Sequence, residues 1–200
     1  TTERYSVFRT IDSIRRADVV VLVVDSSEPL SEQDVRIAGL IHEEQKPSVI
    51  VMNKWDLINK ETNTMSKFNK QLDTDLAYMS YYKSVYLSAL TGKRMETLMQ
   101  AVTEVYNNAR KKITAGNLND IIQNAYAISN PPSKKGKRLR IFYATQTGVA
   151  PPTFVLFVND TMLMQDNYKR YLENSIRNAV DFTGTPIRIN LKSRDEKDMF

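Results

Sequence analysis

The sequence contains no cysteine and only one histidine, His42. Disulfides and thiolate metal sites are therefore excluded, and His42 alone cannot build the metal sites or catalytic triads that need histidine together with further ligands or partners. No apolar run reaches the roughly 18 residues that a membrane-spanning helix needs, and no secretory signal is visible. We therefore expect a cytoplasmic protein without a membrane span, in which His42 has a surface or packing role.

The charge of the chain is uneven. Its net charge is +5, of which residues 1–114 carry +1 and residues 115–200 carry +4. Two hundred residues with 42% apolar and 26% charged side chains are typical of a globular protein of one or two domains. The basic second half favours a polyanionic partner, most simply nucleic acid, although a solvated basic surface gives the same pattern.

The first 114 residues alternate between short apolar runs and amphipathic stretches. Residues 17–25, 47–52 and 85–87 predict strands, and the first of these runs predicts a strand buried on both faces. Helices are predicted at residues 3–16, 31–44, 65–79 and 95–109. Such alternation predicts an α/β domain with a parallel sheet and right-handed crossovers.

The pattern changes after Ala115-Gly116-Asn117, where we place a domain boundary. A helix is predicted at residues 118–128, followed by strands at 138–145 and 153–158. A second helix begins at about residue 166, and a last strand follows at 186–191. This α-β-β-α-β order predicts a small α+β domain with its helices on one side of the sheet. The sequence therefore predicts a domain at 1–114, a second at 115–194, and a charged tail at 195–200.

A polar tetrapeptide, Asn53-Lys54-Trp55-Asp56, follows the second apolar run. In an open α/β sheet, ligands bind outside the carboxyl ends of the strands. The two oxygens of Asp56 match the adjacent N1–H and 2-amino donors of guanine, whereas adenine would leave them facing an acceptor. Lys54 would lay its stem along the base, and Asn53 would bond the base edge or tie neighbouring loops together. A plain polar turn is the alternative.

Ser88, Ala89 and Leu90 follow the next strand. In this small turn the Ala89 N–H would donate to guanine O6, and the Ser88 hydroxyl would hold Asp56. A simple strand-to-helix turn is again the alternative. The order of both motifs along the chain nevertheless favours a GTP or GDP site, made of Asn53, Lys54, Asp56, Ser88, Ala89 and Leu90.

Longer motifs add a resemblance to a known family. They are Tyr5-Ser6-Val7, Arg15-Arg16-Ala17-Asp18, Glu32-Gln33-Asp34, Arg36-Ile37-Ala38, Tyr143-Ala144-Thr145-Gln146, Pro151-Pro152-Thr153-Phe154, Phe157-Val158-Asn159-Asp160, Tyr171-Leu172-Glu173-Asn174 and Gly184-Thr185-Pro186-Ile187. Together with the tetrapeptide they resemble the tandem GTPases EngA or Der, which act in bacterial large-subunit ribosome assembly. The resemblance implies the back half of a P-loop-type second GTPase domain followed by a KH-like domain.

Two motifs of a complete GTPase are absent. The sequence has no G-x-x-x-x-G-K-[ST] phosphate loop, and no Asp-x-x-Gly precedes the first helix. We therefore expect no catalytic residue and no metal ligand in these residues, and no GTP hydrolysis by them alone. The whole protein is expected to use Mg²⁺ and hydrolyse GTP, and a start at Thr1 rather than Met fits an internal fragment.

The resemblance also implies partners, namely the large ribosomal subunit or its rRNA and the whole protein's own first GTPase domain. A basic loop is our candidate for contact with rRNA phosphates: Lys134, Lys135, Lys137, Arg138 and Arg140. A solvated loop is the alternative. The KH-like region lacks the G-x-x-G loop that clamps RNA, which gives weight to docking with a protein. The alternative hypothesis for the whole chain is that it is an RNA- or protein-binding module of a single-domain Era-like GTPase, and that this module has no catalytic activity of its own.

Overall fold

The chain folds into two units. The computed structural model describes the backbone of residues 2–194 and the side chains of residues 7–194, so the predicted tail at 195–200 lies outside the described residues. The first unit contains the chain up to Ala109 together with Thr183–Pro186, and the second contains Arg110–Phe182 and the chain from Ile187. No helix in the described part of the chain is long and apolar enough to cross a membrane.

The first unit alternates helices and strands, which confirms the predicted α/β class. Its elements are α1 Thr2–Arg16, β1 Val20–Asp25, α2 Glu32–Glu43, β2 Ser48–Asn53, α3 Thr64–Asp75, β3 Lys83–Tyr86 and α4 Met95–Ala109. A capping box begins α2, because Ser31 and Asp34 bond each other's backbone N–H groups. The helix predicted to continue to residue 79 ends earlier, and a short 3-10 helix at Ala77–Met79 follows it.

Strands β1, β2 and β3 form one parallel sheet in that order. Asp25 pairs in register with Asn53, and Met52 pairs with Tyr86. The carboxyl ends of all three strands therefore meet at one edge of the sheet. That edge is where the sequence places the candidate ligand-binding residues.

The burial of the strands differs from the prediction for β1. Strand β2 is buried on both faces, since Ile50 and Met52 face one apolar cluster and its neighbours Val49 and Val51 face another. In β1, by contrast, Val21 and Val23 are exposed, the latter by 54%. The predicted burial of β1 on both faces is thus not found in this chain. Among the described residues β1 pairs with one neighbouring strand, β2, and helix α4 covers that face of the sheet over β2 and β3.

The segment Thr183–Pro186 completes the first unit from far along the chain. The Gly184 N–H donates to the Tyr81 carbonyl at 2.6 Å, and the Gly184 carbonyl accepts from the Ser48 N–H at 2.7 Å. The Asn108 side chain donates to the Thr183 carbonyl at 2.9 Å. One of the backbone groups paired in this way, the Ser48 N–H, lies at the start of β2, and Gly184 supplies its acceptor.

The second unit contains α5 Ala115–Ile128, β4 Ser133–Lys134, β5 Lys137–Arg138, β6 Ile141–Gly148, β7 Thr153–Val158, α6 Asp166–Ala179 and β8 Arg188–Ser193. Strand β7 lies between β6, which is antiparallel to it, and β8, which is parallel. Helices α5 and α6 share one apolar core with one face of this sheet. The predicted α-β-β-α-β order is confirmed, and a small hairpin of β4 and β5 forms where only a loop was predicted.

Helix α5 begins within the stretch that the sequence analysis used as a domain boundary. Ala115 is its first residue, and the Thr114 hydroxyl accepts from the Asn117 N–H as an N-cap. Thr114 is therefore the capping residue of a helix of the second unit. The proposed division at residues 114 and 115 stays a prediction.

Candidate nucleotide-binding site

The two predicted loops lie side by side at the carboxyl edge of the first unit's sheet. Backbone bonds join them, since the Leu87 N–H donates to the Met52 carbonyl and the Trp55 N–H donates to the Leu87 carbonyl, both at 3.1 Å. Backbone hydrogen bonds thus hold the tetrapeptide at residues 53–56 and the turn after β3 together without help from a ligand.

A side-chain bond adds to this connection. The Asn53 Oδ1 accepts from the Ala89 N–H at 2.9 Å, so Asn53 ties the neighbouring loops together. This is one of the two roles predicted for Asn53. The same bond occupies the N–H that the sequence analysis assigned to guanine O6. The adjacent Leu90 N–H, within the described residues, has no hydrogen bond and belongs to an exposed residue.

Trp55 anchors the tetrapeptide in the core. Its indole is 4% exposed and packs edge-on against Phe68 at 5.1 Å and tilted against Tyr86 at 4.5 Å between ring centroids. Lys54 adopts a left-handed backbone with φ of 60°, and both Lys54 and Asp56 are exposed on either side of the buried indole. The buried indole therefore fixes the backbone of the tetrapeptide, while the side chains of Lys54 and Asp56 on either side of it remain in solvent.

Asp25 is a further charged residue of this edge and was not among the residues predicted from the sequence. Its carboxylate forms an ion pair with the Lys54 ammonium and accepts from the Ser27 hydroxyl and N–H at 2.6 and 2.9 Å. The hydrogen bonds from Lys54 and then from Ser27 lower the pKa of Asp25 to about 2. The position of Asp25 at the end of a predicted strand was the available signal, while its place beside Asn53 depends on the register of β1 with β2.

Ser88 has a different role from the one predicted. Its side chain is 2% exposed, and its hydroxyl accepts from the Thr91 N–H at 3.2 Å. In the described part of the chain no hydrogen bond joins Ser88 to Asp56, so Ser88 shapes the turn at residues 88–91 rather than holding the carboxylate. Asp56 itself is exposed and forms no hydrogen bond with any described residue.

Three cations that the sequence analysis did not single out surround a small cavity beside Asp56. The cavity has a volume of about 90 Å³ and is lined by Trp55, Asp56, Lys60, Leu87, Ser88, Lys93 and Arg94. The positive charges of these three side chains favour the binding of an anionic group close to the Asp56 carboxylate. Across residues 7–194, no group of three or more His, Cys, Asp or Glu side chains comes together to hold a metal ion.

The predicted RNA-contacting residues lie on or next to the β4–β5 hairpin. Lys135 and Gly136 form its two-residue turn with φ of 50° and 77°, as a type I′ turn requires. Lys137 pairs with Asp160 at 3.3 Å, and Arg138 donates to Asn130 at 2.8 Å. The remaining residues of the set, Lys134, Lys135 and Arg140, are exposed.

Two family models match this chain. Residues 6–108 match the family model of the elongation factor Tu GTP-binding domain. Residues 112–192 match the model of the C-terminal KH-domain-like region of EngA bacterial GTPases. Among solved structures, Era in complex with MgGDPNP and a segment of 16S ribosomal RNA aligns over 94% of this chain and 69% of its own, with 16% identity and a TM-score of 0.42.

Curated relatives match nearly the whole chain. The GTPase Der of Alkaliphilus metalliredigens is 48% identical over 98% of this chain and 44% of its own length. The GTPase Der of Desulforamulus reducens is 46% identical over 99% of this chain and 45% of its own. The chain thus spans less than half the length of these relatives. It belongs to the EngA/Der-type GTPases, with the back half of a GTP-binding domain followed by the family's KH-like domain.

Proposed function

We propose that these residues form the guanine-reading part of a GTP hydrolase that acts in assembly of the large ribosomal subunit. The observation that carries the proposal is the joined pair of loops at the carboxyl edge of the sheet. There Asp56 stands exposed beside the buried Trp55, and the turn at Ser88–Leu90 is bonded to the same loop. The similarity to GTPase Der of two bacteria supports the assignment to ribosome assembly.

The two loops offer complementary groups to guanine. The two oxygens of Asp56 accept from N1–H and from the 2-amino group, while the Leu90 N–H donates to O6. The Leu90 N–H has no other acceptor within the described residues, so this contact leaves the bond from the Ala89 N–H to Asn53 unbroken. Adenine presents an acceptor at N1 and a donor at C6, which leaves both sides of the site mismatched.

Lys54 completes the base site through its stem. Its ammonium is paired with Asp25, which holds the charged end at the sheet edge while the methylene chain remains available to the face of the base. The alkyl chain contributes apolar contact area but has no hydrogen-bond donors or acceptors that could distinguish one base from another. Selection of guanine therefore rests on Asp56 and the backbone, and Lys54 adds affinity.

Hydrolysis needs groups that these residues do not supply. The sequence has neither the phosphate loop nor the Asp-x-x-Gly segment that hold the phosphates and Mg²⁺ in such enzymes. We place no catalytic residue and no Mg²⁺ ligand here, and expect no GTP hydrolysis by this chain alone. The bound Mg²⁺ would supply charge stabilisation at the phosphates in the whole protein.

The KH-like unit is proposed to dock on the large subunit or its rRNA, and on the whole protein's own first GTPase domain. Lys134 and Lys135 are the best candidates for phosphate contact, because both are exposed and neither has a side-chain partner among the described residues. Lys137 and Arg138 are already bonded to Asp160 and Asn130, and so contribute less.

Asp56→Asn in the whole protein tests the base assignment. The new amide donor faces the 2-amino donor of guanine, whereas xanthine carries a carbonyl at C2 that accepts from it. An unmatched buried donor costs about 1–3 kcal/mol, which is roughly tenfold to a hundredfold in affinity. We expect preference to switch from GTP to XTP by that factor in nucleotide titrations with GTP, XTP and ATP.

Asp120→Asn is the matched control, since it makes the same change at an exposed carboxylate of helix α5 in the other unit. It should leave the preference for GTP intact. If Asp56→Asn still prefers GTP over XTP while remaining folded, Asp56 does not contact the base and the proposed function loses its main support.

A further inference from the structure

A third loop lies beside the two loops of the proposed base site. It begins at the last residue of β1 and consists of Asp25, Ser26 and Ser27, which we call the β1 turn. Ser26 is 2% exposed, and both its N–H, at 3.0 Å, and its hydroxyl donate to the Asn53 carbonyl. The β1 turn is therefore bonded to the residue that directly precedes Lys54.

The two carboxylate oxygens of Asp25 have different partners. Oδ1 accepts from the Ser27 N–H at 2.9 Å and from the Ser27 hydroxyl at 2.6 Å. Oδ2 forms the ion pair with the Lys54 ammonium. Ser27 thus fixes the orientation of the carboxylate through one oxygen, while the other oxygen holds the lysine. Because both oxygens have partners, we expect Asp25 to act on a ligand through Lys54 rather than by direct contact.

Lys54 is held at both ends. Its backbone has φ of 60° and lies between Asn53, whose carbonyl accepts from Ser26, and the buried Trp55. Its ammonium lies at Asp25, the register partner of Asn53 on the neighbouring strand. The methylene stem therefore crosses from the end of β2 to the end of β1 along the edge of the sheet. A lysine without such a partner samples many rotamers, and ordering it costs free energy.

The ionisation of the two side chains agrees with this pairing. The hydrogen bond to Asp25, followed by the negative charge of that carboxylate, raises the pKa of Lys54. The hydrogen bond from Lys54 is likewise the largest cause of the lowered pKa of Asp25. Both groups are therefore ionised at neutral pH. The pair is nevertheless partly exposed, by 52% for Lys54 and 31% for Asp25, so it contributes little to folding.

We propose that Asp25 is a positioning residue of the base site, which orders the Lys54 stem along the face of the base before a nucleotide binds. The inference rests on the proposed function, because Asp56 and the Leu90 N–H are what place the base beside that stem. Binding then does not have to immobilise a free lysine, and preorganisation of this kind raises affinity. The stem has no donors or acceptors along its length, so Asp25 should strengthen binding without affecting the choice of base.

The test isolates this site by using the whole protein with Asp56→Asn and xanthosine diphosphate (XDP) as the ligand. Any other guanine site of the whole protein keeps its own base-reading groups and rejects xanthine. Isothermal titration calorimetry with XDP and Mg²⁺ therefore measures binding at this site alone. Binding of XDP by Asp56→Asn also checks the proposed function first, independently of Asp25.

The further changes are made in that background. Asp25→Leu removes the acceptor at similar size, and Lys54→Met removes the ammonium but keeps a stem. Each should weaken XDP binding roughly two- to tenfold, the cost of immobilising one long side chain. Asp25→Leu/Lys54→Met should bind no more weakly than either change alone, because the same pair is lost in all three. Lys54→Ala also removes the stem, and should bind more weakly than Lys54→Met.

Glu44→Leu is the matched control. It removes the acceptor of another ion pair of the first unit, with Arg15 at 2.8 Å, near the amino ends of β1 and β2. It should leave the affinity for XDP unchanged. Circular dichroism checks that the variants are folded. If Asp25→Leu is not, Asp25→Asn replaces it, since the amide oxygen still accepts from Ser27 while the charge is lost.

The outcomes separate the positioning role from the base site itself. Full affinity in both Asp25→Leu and Lys54→Met, or losses that add in the double variant, overturns the role of Asp25, while binding of XDP by Asp56→Asn leaves the base site in place. A loss in Glu44→Leu as large as that in Asp25→Leu also overturns it, because the effect is then a general one on the first unit. No binding of XDP by Asp56→Asn overturns the proposed function, and this inference with it.

Discussion

Gly184→Ala should strongly destabilise the first unit. Gly184 has φ of +82°, and a Cβ built on it would lie 2.2 Å from Val105 Cγ2 and 2.9 Å from Cγ1. Val105 is fully buried, so it has little room to move. The left-handed backbone costs an alanine about 1–2 kcal/mol, and overpacking adds about 1–3 kcal/mol. We therefore expect the free energy of unfolding to fall by roughly 2–5 kcal/mol.

The first unit provides its own reporter for this measurement. Trp55 is the only tryptophan of the chain and is 4% exposed, so its fluorescence follows unfolding of the first unit alone. Urea unfolding curves of the original chain and the variant give the difference in free energy from their midpoints when the slopes agree.

Two further variants separate the backbone cost from the clash. Gly92 also has a positive φ, of +71°, but no atom lies within 4 Å of a Cβ built on it. Gly92→Ala should therefore cost only the backbone share, about 1–2 kcal/mol. Combining Gly184→Ala with Val105→Ala should be less damaging than the sum of the single changes, by about 0.5–3 kcal/mol. Equal losses for Gly184→Ala and Gly92→Ala, together with strict additivity in the double variant, would refute the clash.

Two smaller predictions concern buried and paired polar groups. Among the described residues the buried Ser48 hydroxyl has no hydrogen-bond partner. Ser48→Ala should therefore leave the free energy of unfolding unchanged or raise it by about 1–3 kcal/mol in urea titrations, and a clear loss would contradict this. The pKa of Asp25 is lowered from 3.8 to about 2, chiefly by the hydrogen bond from Lys54. The ionised carboxylate therefore stabilises the folded state above about pH 4, and this stabilisation disappears as the pH falls towards 2. In NMR titrations Lys54→Met should move that pKa back towards 3.8, and an unchanged value would exclude the ion pair as its cause.

The sequence predicted the meeting of the two loops because parallel strands end at the same edge. It could not predict how the loops share their hydrogen bonds. The Ala89 N–H can serve a base or the Asn53 amide equally well, and only the three-dimensional arrangement shows that Asn53 takes it. The Asp25–Lys54 pair was missed for a similar reason, since it depends on the register between two strands.

Burial and long-range contacts set a second limit on prediction. A run of β-branched residues such as Val19–Val24 has the same pattern in a central strand and in an edge strand, so the exposure of Val21 and Val23 is not visible in it. The contribution of Thr183–Pro186 to the first unit has no local signal at all, because its partner Ser48 is far away in the sequence.

That distant segment has a consequence for the order in which the protein can fold during synthesis. The ribosome makes the chain from its amino terminus, and domains generally fold as they emerge. When Ala109 has emerged, the Ser48 N–H at the start of β2 and the Tyr81 carbonyl still lack their Gly184 partners. The first unit can therefore reach its final hydrogen bonding only after most of the second unit has been translated, although it comes first in the sequence.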